Sequence, residues 1–339
     1  MTRSEKITLI YLVSLALFSV AAVVLRTAAL LTSLDEALIY FESSTLLTIS
    51  AIVLMVFVLA SISYIFVQEK DFNPAVSFEN PRTYVPSGLV GVAFFLMSAT
   101  LWGDLFSNGV TAKFFSSISN VILLAVAIFA LISTANFFLN NYHEKKESTS
   151  RAAFCLCCAV FMGLYAGHLF FSDALPINAP NKAVDQLSYL AVSIFFLYET
   201  RISLGRAKWR LYLTFGLIAV ALTAYSAIPA IIFYFQSGGV VSRSLTENVL
   251  TLSLGIYIAS RLTLTLTPVR NEACPTVCAI VDMTNRRETE IAENEKTHGK
   301  ITASEDQKTA SADNVENYEI DFSTLTDPTA ERDNNTEDI

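Results

Sequence analysis

The chain has 339 residues, 53% of them hydrophobic and 16% charged, with a formal net charge of −8. Soluble proteins carry about 25% charged residues, and here the apolar residues are gathered in long blocks. That excludes the two soluble domains which length alone would suggest. The charge is divided: residues 1–270 hold 17 Lys/Arg against 14 Asp/Glu and residues 271–339 hold 6 against 17, so +3 and −11 together give the −8.

In chain order, the first apolar block spans about 7–25, after Arg3 and Lys6. It is longer than the roughly 7–15 residues of a signal-peptide core and lacks a small-x-small cleavage site, so it reads as a retained helix. Further blocks follow at about 44–67, 87–106, 117–139, 152–171, 180–204, 209–235 and 249–267. Each approaches the roughly 20 residues needed to cross a bilayer, which predicts an all-α polytopic transmembrane bundle of eight helices. After Pro268 the apolar pattern stops. Residues 271–339 read as a disordered acidic tail, too poor in apolar side chains to offset the entropy of ordering.

Residues 175–210 organise the rest. Pro180 suits a first helical position, Asn178 a nearby cap and Gly205 the residue just past a helix end. Lys182 and Arg201 stand about 28 Å apart along a helix, close to the hydrocarbon thickness of a bilayer. With a cytoplasmic N-terminus, the inner segments hold Arg3, Lys6, Lys70, Arg82, Lys145, Lys146, Arg151, Arg201, Arg206, Lys208 and Arg210. The outer ones hold Arg26, Lys113, Lys182 and Arg243. This alternation predicts that both termini are cytoplasmic.

An ionisable residue inside a span is a functional candidate, because placing it in hydrocarbon is costly. Arg261 lies in the last helix and Glu199 at a similar depth in the sixth, which makes them a candidate ion pair. The alternative is two side chains reaching water separately. At the outer boundary Asp104, His168, Asp173 and Asp185 form a candidate polar cluster, able to bind a cation or relay protons, or else simply the wet ends of helices. Gly163 and Gly167 have the spacing that lets helices approach closely, read here as internal packing rather than dimerisation. Pro229 predicts a kink in the seventh helix.

Five cysteines (Cys155, Cys157, Cys158, Cys274 and Cys278) read as reduced thiols rather than a disulfide or metal framework. No phosphate-binding loop, dinucleotide fingerprint, zinc-protease motif or nucleophile elbow is present, so no familiar catalytic centre and no cofactor is expected. In the tail, Tyr318, Ile320, Phe322 and Leu325 make a closely spaced apolar patch between acids, a candidate partner-binding segment.

The runs Ile177-Asn178-Ala179-Pro180-Asn181-Lys182 and Phe196-Leu197-Tyr198-Glu199-Thr200-Arg201 resemble a pattern in uncharacterised multi-pass membrane proteins of Gram-positive anaerobic bacteria. The resemblance covers residues 175–235 and implies a bacterial plasma membrane; it supplies no activity. Two function classes remain. One is a non-enzymatic signalling or scaffolding protein whose tail recruits a cytoplasmic protein; the other is a small-solute or ion transporter. The partners implied are the lipid bilayer and that cytoplasmic protein, with no nucleic acid. Ionisable residues near helix ends rather than at mid-membrane, and only one internally broken helix, favour the first class.

Overall fold

A computed structural model describes residues 3–35, 40–41, 45–70, 72, 83–107, 118–139, 148–171, 180–236 and 244–265. All of these lie in the first of two compact units, Met1–Asn285; the second, Arg286–Ile339, lies outside the described residues. Among the described residues eight helices follow one another: α1 Arg3–Ser33, α2 Thr45–Val67, α3 Tyr84–Ser107, α4 Ile118–Leu139, α5 Ser148–Phe171, α6 Pro180–Ser203, α7 Trp209–Gln236 and α8 Leu245–Leu264. Between α1 and α2 a two-residue antiparallel ladder pairs Leu34 with Phe41 and Asp35 with Tyr40.

Six of the helices (α1 to α5 and α7) are long and apolar enough to cross a membrane, which makes this a membrane protein. The remaining two are of similar length, with 24 residues in α6 and 20 in α8. Their ionised and amide side chains keep them outside that class.

Most observed boundaries fall within four residues of the apolar blocks; the end of α1 differs more. Helix α1 begins at Arg3 and continues to Ser33, well beyond the expected end at residue 25. Arg26 does not stop it, because its guanidinium lies over the Tyr225 ring of α7, 4.3 Å from the centroid. Helix α8 begins at Leu245 rather than 249 because Ser244 caps it, accepting a hydrogen bond from the Glu247 N–H. It ends at Leu264, three residues early, where Thr265 turns its N–H back to Leu262 and Thr263. Helix α6 starts on Pro180 and closes at Gly205, whose φ of 69° suits a residue without a Cβ. The Arg206 N–H bonds Arg201 O at 2.8 Å and the Gly205 N–H bonds Ile202 O at 2.9 Å, the paired bonds that satisfy a helix's last carbonyls.

From α3 to α8 each helix packs on the next, and α8 packs back on α3, closing a ring of six. The α1–α2 pair lies against α7, which is therefore the helix shared by both groups. Inside the ring, Phe137 of α4 meets Phe94 of α3, Phe196 of α6 and Tyr257 of α8, with centroids 5.3 to 6.0 Å apart. Phe161 of α5 packs edge-on to Phe94 at 5.0 Å. Rings from five helices thus fill the centre. Between α7 and α8 the approach is closer still, since a Cβ at Gly255 would collide with the Thr223 side chain and one at Gly216 with Leu262. Small residues at such crossings let membrane helices gain the van der Waals contact that lipid also offers them.

Candidate functional site

Two layers of buried polar side chains sit at opposite ends of the ring. We call the end where α1 begins basal and the other distal. The basal layer is centred on Glu199, near the end of α6, and Arg261, in the last turn of α8. Their side chains are 0% and 1% exposed. Arg261 Nε donates to Glu199 Oε1 at 3.0 Å, and Nη2 stands 2.9 Å from the same oxygen. Both contacts converge on one oxygen, so Glu199 Oε2 is buried without a hydrogen-bond partner among the described residues. The hydroxyl of Tyr212 on α7 is buried too and stands against both charges, with Glu199 its near neighbour. Tyr257 and Cys155 also feel the pair, so α5, α6, α7 and α8 all face this one charge couple.

The distal layer has two parts. On the α6–α7 side, Ser226 Oγ donates to Asp185 Oδ1 at 2.5 Å, with both residues buried. On the α5–α8 side the Tyr165 hydroxyl donates to Glu247. The His168 ring packs 6.0 Å from that of Tyr165 and lies within electrostatic reach of Glu247 and Asp104. Tyr189 of α6 and Thr251 of α8 share a hydrogen bond at 3.0 Å between the two parts.

The structure therefore divides the expected outer cluster. His168 lies within electrostatic reach of both Asp104 and Glu247, whereas Asp185 is held by Ser226 on another helix. Asp173 lies outside the described residues. Lys182, read from the sequence as an outer-loop cation, is instead buried within α6 at 4% exposure. Helix α6 begins two residues before it.

The glycine pair is also divided. A Cβ at Gly163 would stand 3.8 Å from Ser193 Oγ on α6, whereas one at Gly167 would meet nothing within 4 Å. Close approach of α5 and α6 is carried by Gly163 and by Ser193 Oγ, which donates to the Ala159 carbonyl at 2.7 Å. Cys155, Cys157 and Cys158 are free thiols. Cys274 and Cys278, and the patch Tyr318, Ile320, Phe322 and Leu325, lie outside the described residues. Among the described residues no three His, Cys, Asp or Glu side chains gather as a metal site.

Tyr165, Ser226, Glu247 and Tyr212 escaped the sequence reading. The first, second and fourth look like ordinary members of apolar helices. Glu247 fell just before the expected start of its helix, where an acid reads as a wet end. The serine–acid spacing Ser244-x-x-Glu247 was the available signal that the helix starts earlier. The chain matches no protein-family model, no curated protein and no solved structure.

Proposed function

We propose that this protein is a non-enzymatic signalling or scaffolding component of a bacterial plasma membrane, with eight crossings, both termini in the cytoplasm and an acidic tail that recruits a cytoplasmic partner. The observation that carries the reading is the filled ring. Phe94, Phe137, Phe161, Phe196 and Tyr257 occupy its centre, and its buried carboxylate Glu199 is neutralised by Arg261. A body packed in this way serves as an anchor. The part left to engage a partner is the tail, whose balance of −11 keeps it off an anionic inner leaflet. Within it, Tyr318, Ile320, Phe322 and Leu325 supply apolar anchors, and Glu319 and Asp321 steer towards a basic surface. Deleting residues 312–328 should remove the co-purifying partner and the cellular phenotype while membrane insertion is retained. A deletion mutant that keeps every partner and behaves as wild type overturns the recruiting tail.

The distal layer supports a second reading, transport of a small polar solute or ion. Asp185, Ser226, Tyr189, Thr251 and Asn248 are buried polar residues on three adjoining helices, and α7 carries Pro229 beside them. On that reading Asp185→Asn abolishes solute uptake into proteoliposomes and the tail deletion leaves it unchanged.

A further inference from the structure

At the basal end, outside the ring, α1, α2 and α7 meet around Tyr64. Its side chain is fully buried, its hydroxyl shares a 2.9 Å hydrogen bond with Thr8 of α1, and its ring stands edge-on to Tyr11 at 4.9 Å. Arg210, in the first turn of α7, lies within electrostatic reach of that hydroxyl. One turn further along α2 comes Gln68, whose N–H bonds Tyr64 O at 3.0 Å, so its side chain follows Tyr64 on the same face. Gln68 is 2% exposed, yet neither its Nε2 nor its Oε1 has a partner among the described residues. Arg210 Nε is buried and unpartnered as well. A buried amide and a buried guanidinium Nε on a half-buried arginine, both left unsatisfied, are unfavourable unless something else completes their hydrogen bonds.

We propose that this junction binds the phosphate headgroup of an anionic glycerophospholipid, held by Gln68 and Arg210. The two unpartnered N–H groups require an acceptor, and beside a guanidinium a phosphate oxygen is the strongest one. Gln68 Oε1 requires a donor, which the hydroxyl of a glycerol headgroup supplies. The neighbouring Glu69 carboxylate accepts from Ser4 Oγ at the start of α1. Arg201, Arg206 and Lys208 are exposed around the short α6–α7 connection and add a positive field at the same end. For the acyl chains, Phe66 and Val67 offer apolar surface beside the site, at 81% and 52% exposure. Inorganic phosphate shares the acceptor chemistry but brings no acyl chain to lie on that surface.

The test uses the full-length protein in a neutral detergent, with its thermal unfolding midpoint followed during titration with phosphatidylglycerol, phosphatidylcholine or inorganic phosphate. Phosphatidylglycerol should raise the wild-type midpoint and phosphatidylcholine should not. Gln68→Leu and Arg210→Gln should each weaken the apparent affinity for phosphatidylglycerol about tenfold, the loss of one charge-assisted hydrogen bond. Without lipid, Gln68→Leu should unfold no lower than wild type, since it removes two unpartnered polar atoms; lost binding is thereby separated from lost folding. Equal stabilisation by inorganic phosphate alone keeps the phosphate site and assigns its ligand to solution. The proposal is overturned if phosphatidylcholine stabilises as well as phosphatidylglycerol, or if Gln68→Leu binds the anionic lipid as wild type does.

Discussion

Glu199 and Arg261 were marked in the sequence by one physical fact, that a charge within a span needs a reason to be there. Their shared depth suggested each other, and the structure places them in contact on α6 and α8. Depth along two helices does not give rotation about them, so the sequence left the contact open. Nor did it foretell that two of the three Arg261 guanidinium nitrogens, Nε and Nη2, turn to one carboxylate oxygen. A buried pair contributes little when compared with apolar residues of the same volume, but removing one partner leaves a charge without compensation. Glu199→Gln and Arg261→Met should therefore each cost about 3–5 kcal/mol, and the double variant much less than their sum. Unfolding titrations of the three variants in detergent measure this directly. Additive losses would mean that the two side chains act independently.

Helices α6 and α8 differ from the others in not being apolar enough to cross a membrane alone, and on the proposed eight crossings their partners make them tenable there. Taken alone, α6 carries Lys182, Asp185, Glu199 and Arg201, and α8 carries Glu247, Asn248 and Arg261. Charged residues at the centre of a single span cost about 2.5–3.5 kcal/mol each on insertion, and less towards the ends. In the folded chain Asp185 accepts from Ser226, Glu247 from Tyr165 and Glu199 from Arg261. Tested as isolated segments in a host protein with glycosylation reporters, α6 and α8 should insert less completely than α2, whose Thr45–Val67 contains no charge. If α6 inserts alone as fully as α2, its dependence on the neighbouring helices is wrong. Boundaries followed the same logic. Pro180 and Gly205 were readable because their backbone chemistry is local, whereas the extension of α1 through Arg26 depended on an aromatic ring from α7.

For the whole molecule, the alternation of Lys and Arg predicts which ends of the helices face the cytoplasm. In a variant lacking native cysteines, Lys113→Cys and Arg243→Cys should react with an impermeant thiol reagent in intact cells, and Lys146→Cys and Lys208→Cys should not. Lys182 is a poor reporter because it is buried. Labelling of the second pair with silence of the first would invert the orientation. What the sequence by itself determined was the helical class, the number of helices and most of their ends. Those follow from lengths of apolar chain, from proline and glycine geometry, and from the cost of unpaired backbone groups in lipid. What only the tertiary structure decided was which helices are neighbours. The ring closed by α8 on α3, the seat of α1 and α2 on α7, and the partners of Asp185 and Glu247 all depend on helix rotation. The near-uniform hydrophobicity of most of these helices does not encode rotation, because lipid and protein interior are almost equally apolar.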